Sequence, residues 1–182
     1  VPSLPSSLKQ AIVGFDDAVD RRMARLRGDP VADKVFYGAS ELADWSFIWH
    51  LIGTGQALLP GRSPMSAVRL SGILGVESLL VNGGIKSLFR RTRPEWEAAH
   101  ARPFRLRTPR SSSFPSGHAS SAFTAAVVLA EDDPLAPAYF ALAAVVAASR
   151  PYVKRRHASD VVAGAALGVV LGTVAKRVWP NP

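Results

Sequence analysis

The chain has 182 residues, a formal net charge of +8 and no cysteine. That length suits one domain with a full core, and the missing cysteines exclude disulfides, Cys-ligated zinc and a Cys nucleophile. The basic balance favours anionic partners such as nucleic acid, acidic headgroups or phosphorylated substrates; 17 of the 22 cations are Arg, the residue that grips phosphate with two parallel hydrogen bonds.

The opening residues show no cleavable signal pattern. Residues 7–27 form an amphipathic stretch in which Leu8, Ile12, Phe15, Val19, Met23 and Leu26 recur at helical spacing. Ser7 with Gln10 fits a capping box, and Gly28 with Pro30 supplies a stop. Ahead of apolar spans, this helix is expected to lie on a membrane interface. Residues 45–61, 134–149 and 161–175 then carry no Asp, Glu, Lys or Arg. Each run is shorter than the ~20 residues that span a bilayer, but polar ends extend them. Small residues such as those in "AGAALGVVLG", 163–172, suit close helix packing in lipid. The pattern predicts an all-α membrane bundle of five spans, at about 35–59, 64–88, 117–131, 134–150 and 158–178, as one domain over 1–182. Pro64 and Pro134 sit where first helical turns are expected. A soluble helical bundle is the alternative. Residues 90–115, rich in Arg, Pro and Ser, form the longest irregular segment.

On this map the chemistry-bearing residues gather at one end. Lys86 and Arg93 fall where the second span enters the long loop. "FPSGH", 114–118, opens the third span, "SR", 149–150, ends the fourth, and His157 with Asp160 opens the fifth. Lys86, Arg93 and Arg150 can neutralise the oxygens of a phosphoryl group. Ser116 offers a hydroxyl, and Gly117 lets backbone N–H groups approach an anion at a helix start. His118 can donate a proton to a leaving oxygen, and a second His steadied by Asp160 can attack phosphorus. Taken alone, each piece has a plainer reading: a snorkelling cation, a turn, a helix cap.

The ordered set resembles the three-part signature of the type-2 phosphatidic acid phosphatase superfamily. Lys, six residues, then Arg-Pro is matched by "KSLFRRTRP", 86–94, and Pro-Ser-Gly-His is matched intact by 115–118. The third part, Ser-Arg, five residues, His, three residues, Asp, is matched by Ser149, Arg150 and Asp160, but its His position holds Arg156 and the only nearby imidazole is His157. The resemblance implies an all-helical bundle and a phosphohistidine intermediate, with no metal or other cofactor required. It assigns Lys86, Arg93, Ser116, Gly117 and Arg150 to phosphate, His118 to acid–base work, and Asp160 to the nucleophilic His. A guanidinium stays protonated and cannot attack, so His157 is taken as a displaced nucleophile.

The expected function is therefore an integral membrane lipid phosphatase acting on a phosphate monoester or pyrophosphate. Phosphatidylglycerophosphate, phosphatidic acid, polyprenyl pyrophosphate and polyprenyl-phosphate sugar phosphates such as decaprenylphosphoryl-phosphoribose phosphate are the candidate lipids. The alternatives are a silent phospholipid-binding membrane protein and, further off, a vanadium-dependent haloperoxidase. Nucleic acid is not expected as a partner, because the Arg-rich loop has only Trp96 and Phe104 as interleaved aromatics. Twelve cations from Lys86 to Arg156 lie on the side of the site, against Arg62, Lys176 and Arg177 opposite. That excess predicts a site on the cytoplasmic face of a bacterial plasma membrane.

Overall fold

A computed structural model describes residues 5–94, 112–131 and 133–182. His100, Arg102, Arg105, Arg107, Arg110, Trp96 and Phe104, part of the expected Arg-rich loop, lie outside the described residues. The described chain is all helical: α1 (Ser6–Ala24), α2 (Pro30–Leu42), α3 (Phe47–Ala57), α4 (Met65–Ser78), α5 (Gly117–Leu129), α6 (Ala136–Tyr152) and α7 (Ala158–Val178). After Ser78, α4 continues through a π-helical segment, Leu79–Gly84, and a 3-10 turn, Ile85–Leu88.

The first expected span is two helices. Asp44–Ser46 form a 3-10 turn in which Trp45 and Ser46 adopt left-handed φ of 56° and 59°, and this corner divides α2 from α3. Neither residue is Gly or Asn, the usual sequence marks of such a conformation, so the sequence hides the break. At the start of the chain, Pro5 occupies the N-cap of α1 with no side-chain cap, so the expected Ser7–Gln10 box does not form. Pro30 opens α2 instead of only stopping α1, with Asp29 accepting from the Val31 and Ala32 amides at 3.0 and 2.8 Å. Helix α6 begins two residues beyond Pro134, and Asp133 Oδ1 accepts from the Leu135 amide at 2.8 Å. The last span holds at Ala158–Val178.

Helix α5 is central: most of its residues are buried, among them Ala122, Ala125, Ala126 and Val128. They pack with Trp49 of α3, Leu70 and Leu74 of α4, and Tyr139, Ala143 and Val146 of α6 into the main apolar core. Against α7 the approach is backbone to backbone. Gly164, Gly168 and Gly172 follow one another at four-residue intervals on the face toward α5. A Cβ at Gly164 or Gly168 would collide with the carbonyl oxygens of Ser116 or Ser120, and one at Gly172 would sit 2.8 Å from Val127 Cβ. Larger residues would push the helices apart. Thr124 Oγ1 donates to the Gly168 carbonyl at 3.1 Å across this seam.

Among the described residues two helical segments are long and apolar enough to cross a membrane: Met65–Leu88 and Ala158–Val178. Their outward faces expose Val76, Leu79, Val162, Val170 and Val178, an apolar surface suited to lipid. Helix α5 is apolar but shorter.

Helix α1 docks at the end where α6 passes into α7. Asp16, one of its polar residues, is buried there, whereas Leu8 and Phe15 of its apolar stripe remain exposed. Arg27 donates to the carbonyls of Tyr152 and Pro151 at 2.8 and 3.0 Å. An apolar stripe only partly covered, with an inward carboxylate, departs from an ordinary surface helix.

Candidate active site

The α5–α7 seam brings two signature segments together. Ser116 caps α5, its hydroxyl accepting from the Ala119 amide at 3.4 Å, while its own amide donates to the Asp160 carbonyl at 3.0 Å. The α5 N-terminus thus lies against the first turn of α7. Gly117 faces α4. A Cβ there would stand 3.0 Å from Lys86 Nζ and 2.9 Å from Asn82 Oδ1, so only glycine lets the lysine come this close to the backbone. Lys86 is buried and hydrogen-bonded to Asn82. The π-helical segment immediately precedes it, a kind of irregularity frequent at functional sites.

Arg150, on the last turns of α6, is buried and donates through Nη1 to Ser40 Oγ of α2. Its Nε has no partner among the described residues, and a buried guanidinium N–H left open is suited to an oxyanion. Arg93 Nη1 donates to the Arg155 carbonyl at 3.2 Å. Lys86, Arg93, Arg150 and Arg156 lie close enough for their charges to act on one another. Burial, then the neighbouring Arg93 and Arg150 charges, lowers the Arg156 guanidinium to about 9. Burial and the Arg155 charge also lower Arg93. Such a concentration of positive charge costs energy while it is empty and returns it when an anion binds.

His118, on the first turn of α5, places Nε2 2.8 Å from Asp44 Oδ1 at the α2–α3 corner. Burial pushes the Asp44 carboxyl up, but the His118 hydrogen bond and the His118, Arg150 and Arg155 charges outweigh it and hold it below its ordinary range.

In the third motif the carboxylate is held by a neighbouring arginine and by the main chain. Asp160 is fully buried, with Oδ1 bound to Arg91 Nη1 at 2.8 Å and Oδ2 accepting from the backbone N–H of His157 at 3.0 Å. Asp160 therefore fixes the main chain of His157, which is the N-cap of α7; its two oxygens are engaged by groups other than the imidazole. Arg156, the residue before, is buried and donates to the carbonyls of Ser112 and Ser113. Its charge bears on Lys86, and also on His118. The structure thus gathers Lys86, Arg93, Ser116, Gly117, His118 and Arg150, adds Arg156, and leaves His157 half-buried at the N-cap of α7.

Sequence reasoning missed Asp44, Ser40, Asn82, Arg91 and Asp16. Arg91 joins three groups: besides Asp160 it donates to Ser159 Oγ at 2.8 Å and to Asp16 Oδ2 at 2.6 Å. Only Arg91 and Asn82 lie in or beside a recognised motif; the others come from helices earlier in the chain.

Helix ends that bring together a buried lysine, arginines and a histidine around a glycine-lined helix start, beside two membrane-length helical segments, define a membrane protein built to handle phosphate. The chain belongs to the PAP2 superfamily, whose family profile matches residues 66–182. It is 31% identical over 142 residues, 78% of this chain and 77% of the relative, to the decaprenylphosphoryl-5-phosphoribose phosphatase of Mycobacterium tuberculosis. It resembles the structure of a transmembrane PAP2-type phosphatidylglycerolphosphate phosphatase from Bacillus subtilis, with TM-score 0.70 and 24% identity over 96% of this chain and 87% of that one. It also resembles LpxE from Aquifex aeolicus, with TM-score 0.52 and 25% identity over 79% and 93% of the two chains. The chain is a phosphoric ester hydrolase of the PAP2 lipid-phosphatase type.

Proposed function

We propose that the chain removes the terminal phosphate from a polyprenyl-linked sugar phosphate at the membrane surface. The observation that carries this choice of lipid is the 31% identity, over 78% of the chain, to a decaprenylphosphoryl-5-phosphoribose phosphatase. The charge of the site supports it, since a phosphate monoester brings two negative charges to Lys86, Arg93 and Arg150. In this reading those three cations, with Ser116 and the backbone at Gly117, hold the phosphoryl oxygens. His157 turns in from the N-cap of α7, and an imidazole nitrogen attacks phosphorus. The phosphorus–oxygen bond to the sugar breaks as His118 passes a proton to the leaving oxygen, and water then splits the phosphohistidine to release orthophosphate.

One observation favours a second reading. Arg156 occupies the signature's nucleophile position and is buried among the other cations, which makes the site a stronger phosphate holder and a weaker hydrolase. Phosphate release from a panel of purified lipid phosphates, with trapping of phosphohistidine in Arg156→His and His157→Ala, separates the two. If His157 attacks, His157→Ala abolishes the trapped intermediate and Arg156→His gains little. Activity that rises by orders of magnitude in Arg156→His, with His157→Ala unchanged, assigns the site to phosphate holding.

The site end carries Lys86, Arg90, Arg91, Arg93, Arg150, Lys154, Arg155 and Arg156 among the described residues, the other end Arg62, Arg69, Lys176 and Arg177. This bias supports a cytoplasmic site. Single cysteines at 100 and 132 test it in intact cells: an impermeant reagent should reach 132 and spare 100, and the reverse pattern refutes it.

A further inference from the structure

Asp44 lies outside residues 66–182, the part of the chain that matches the family, and yet its carboxylate reaches the reacting end of the bundle. Its Oδ1 stands 2.8 Å from His118 Nε2. A carboxylate only accepts, so this nitrogen carries a proton in the contact. The approach is enforced by the chain: Trp45 and Ser46, directly after Asp44, are both left-handed without being glycine. That conformation costs of order 1–2 kcal/mol per residue and persists only where the surroundings hold it. Charge explains why such a contact is needed. Burial first, then the guanidinium charges of Arg150 and Arg156, disfavour the imidazolium of His118, and the Asp44 hydrogen bond and charge oppose them. Without a counter-charge, the cations that hold phosphate would also strip His118 of the proton it must donate.

We infer that Asp44 is the positioning residue for proton transfer to the leaving group, holding a proton on Nε2 of His118 beside the cations that bind phosphate. The inference rests on the reading in which His118 protonates the leaving oxygen. When the ester oxygen arrives, the Nε2–H bond breaks and its proton goes to that oxygen, while the electrons of the breaking phosphorus–oxygen bond stay with the oxygen. Asp44 remains ionised throughout. The neutral imidazole then takes a proton from the water that attacks the phosphoenzyme, which restores the pair.

A leaving group that needs no proton separates this role from a structural one. Alkyl phosphates leave poorly unless protonated, whereas the p-nitrophenolate of p-nitrophenyl phosphate leaves unaided. In the full chain in detergent micelles, Asp44→Asn should lower kcat on dodecyl phosphate by on the order of 100-fold, with a far smaller loss on p-nitrophenyl phosphate, and Asp44→Glu should recover part of the difference. Equal losses on both substrates would overturn the inference. A second measurement does not depend on turnover: nitrogen chemical shifts of labelled His118, followed as a function of pH, report where the imidazole gains its second proton. That midpoint should fall in Asp44→Asn by up to about fivefold in proton affinity, because the Asp44 side chain is 48% exposed and its charge is screened, and an unchanged midpoint refutes the pairing. If wild type hydrolyses neither ester while the His118 midpoint still falls in the variant, the hydrolytic reading fails and the pairing stands.

Discussion

Asp16 and Ser159, 143 positions apart, are joined by two hydrogen bonds: the Ser159 amide donates to Asp16 Oδ1 and its hydroxyl to Oδ2, each at 2.8 Å. With Arg91 bound to Asp16 as well as to Asp160, α1 braces the first turn of α7 beside the phosphate-binding end. Asp16→Asn keeps the size and loses the charge, leaving Arg91 with one carboxylate in place of two. Asp16 is buried but Arg91 is 28% exposed, so the loss is set below that of a fully buried pair, at about 2 kcal/mol. Thermal unfolding in detergent should show a Tm lower by roughly 4–8 °C. An unchanged Tm would mean that α1 only rests on the bundle.

Arg150 reaches Ser40 with one nitrogen and leaves Nε open. Arg150→Ala should reduce kcat/KM on a lipid phosphate by about 100- to 1,000-fold, the usual effect of removing one donor to a developing charge. Arg150→Lys should recover little, because an ammonium cannot reproduce the planar fork. Steady-state phosphate release measures both, and near-normal turnover in Arg150→Ala would rule out the cradle as described. Vanadate should inhibit competitively.

The glycine seam makes a prediction about stability alone. Gly168→Ala places a methyl group against the Ser120 carbonyl, and forcing the backbones apart should cost about 1–3 kcal/mol. Gly75 in α4 has open space where a methyl group would stand, with no neighbour within 4 Å, so Gly75→Ala should be neutral or stabilising by up to about 1 kcal/mol. Equilibrium unfolding of the two variants gives the comparison; equal effects would mean that the α5–α7 contact is not tight.

The cation cluster should bind oxyanions in a pH-dependent way. Burial and the neighbouring Arg93 and Arg150 charges lower Arg156 to about 9, below an ordinary guanidinium. Its folded-state pKa is depressed, so the cost of holding its charge is fully present below pH 9 and is relieved as pH rises through 9. An anion that offsets this charge therefore stabilises most at neutral pH. Phosphate at a hundredfold excess over its Kd contributes about 2.7 kcal/mol, and the resulting rise in Tm should shrink above about pH 9. Arg156→Leu should raise the Tm of the empty protein and reduce the gain from phosphate. A phosphate effect that is flat from pH 7 to 10 would remove Arg156 from the site.

Fixed spacing next to helix ends is what made most of the site legible in the sequence. Lys86, Arg93, Ser116, Gly117, His118 and Arg150 can all be named because short motifs at span boundaries return to one face of a bundle. The one-residue offset of His157 is also visible there, and the structure adds that Arg156 is the side chain turned inward. Asp44 is hidden for two reasons: its corner lies in a run that reads as one helix, and nothing in "DWSF" marks two left-handed residues. Asp16 looks like solvent-facing charge because amphipathicity assigns polar residues outward. The docking of α1 reverses that. Asp160 is recognised by spacing, but its partners depend on Arg91, which the motif passes over as a variable position.

The backbone contact between α5 and α7 also governs how the bundle meets bilayers of different thickness. Mismatch between helix length and hydrocarbon depth is commonly absorbed by tilting. Two helices in contact through their main chains tilt as one body, carrying Ser116, His118 and Asp160 together. Lys86 stands on a separate element, just past the π-helical segment Leu79–Gly84 that follows α4. A change of lipid should therefore alter the reach of Lys86 before it disturbs the spacing of Ser116, His118 and Asp160.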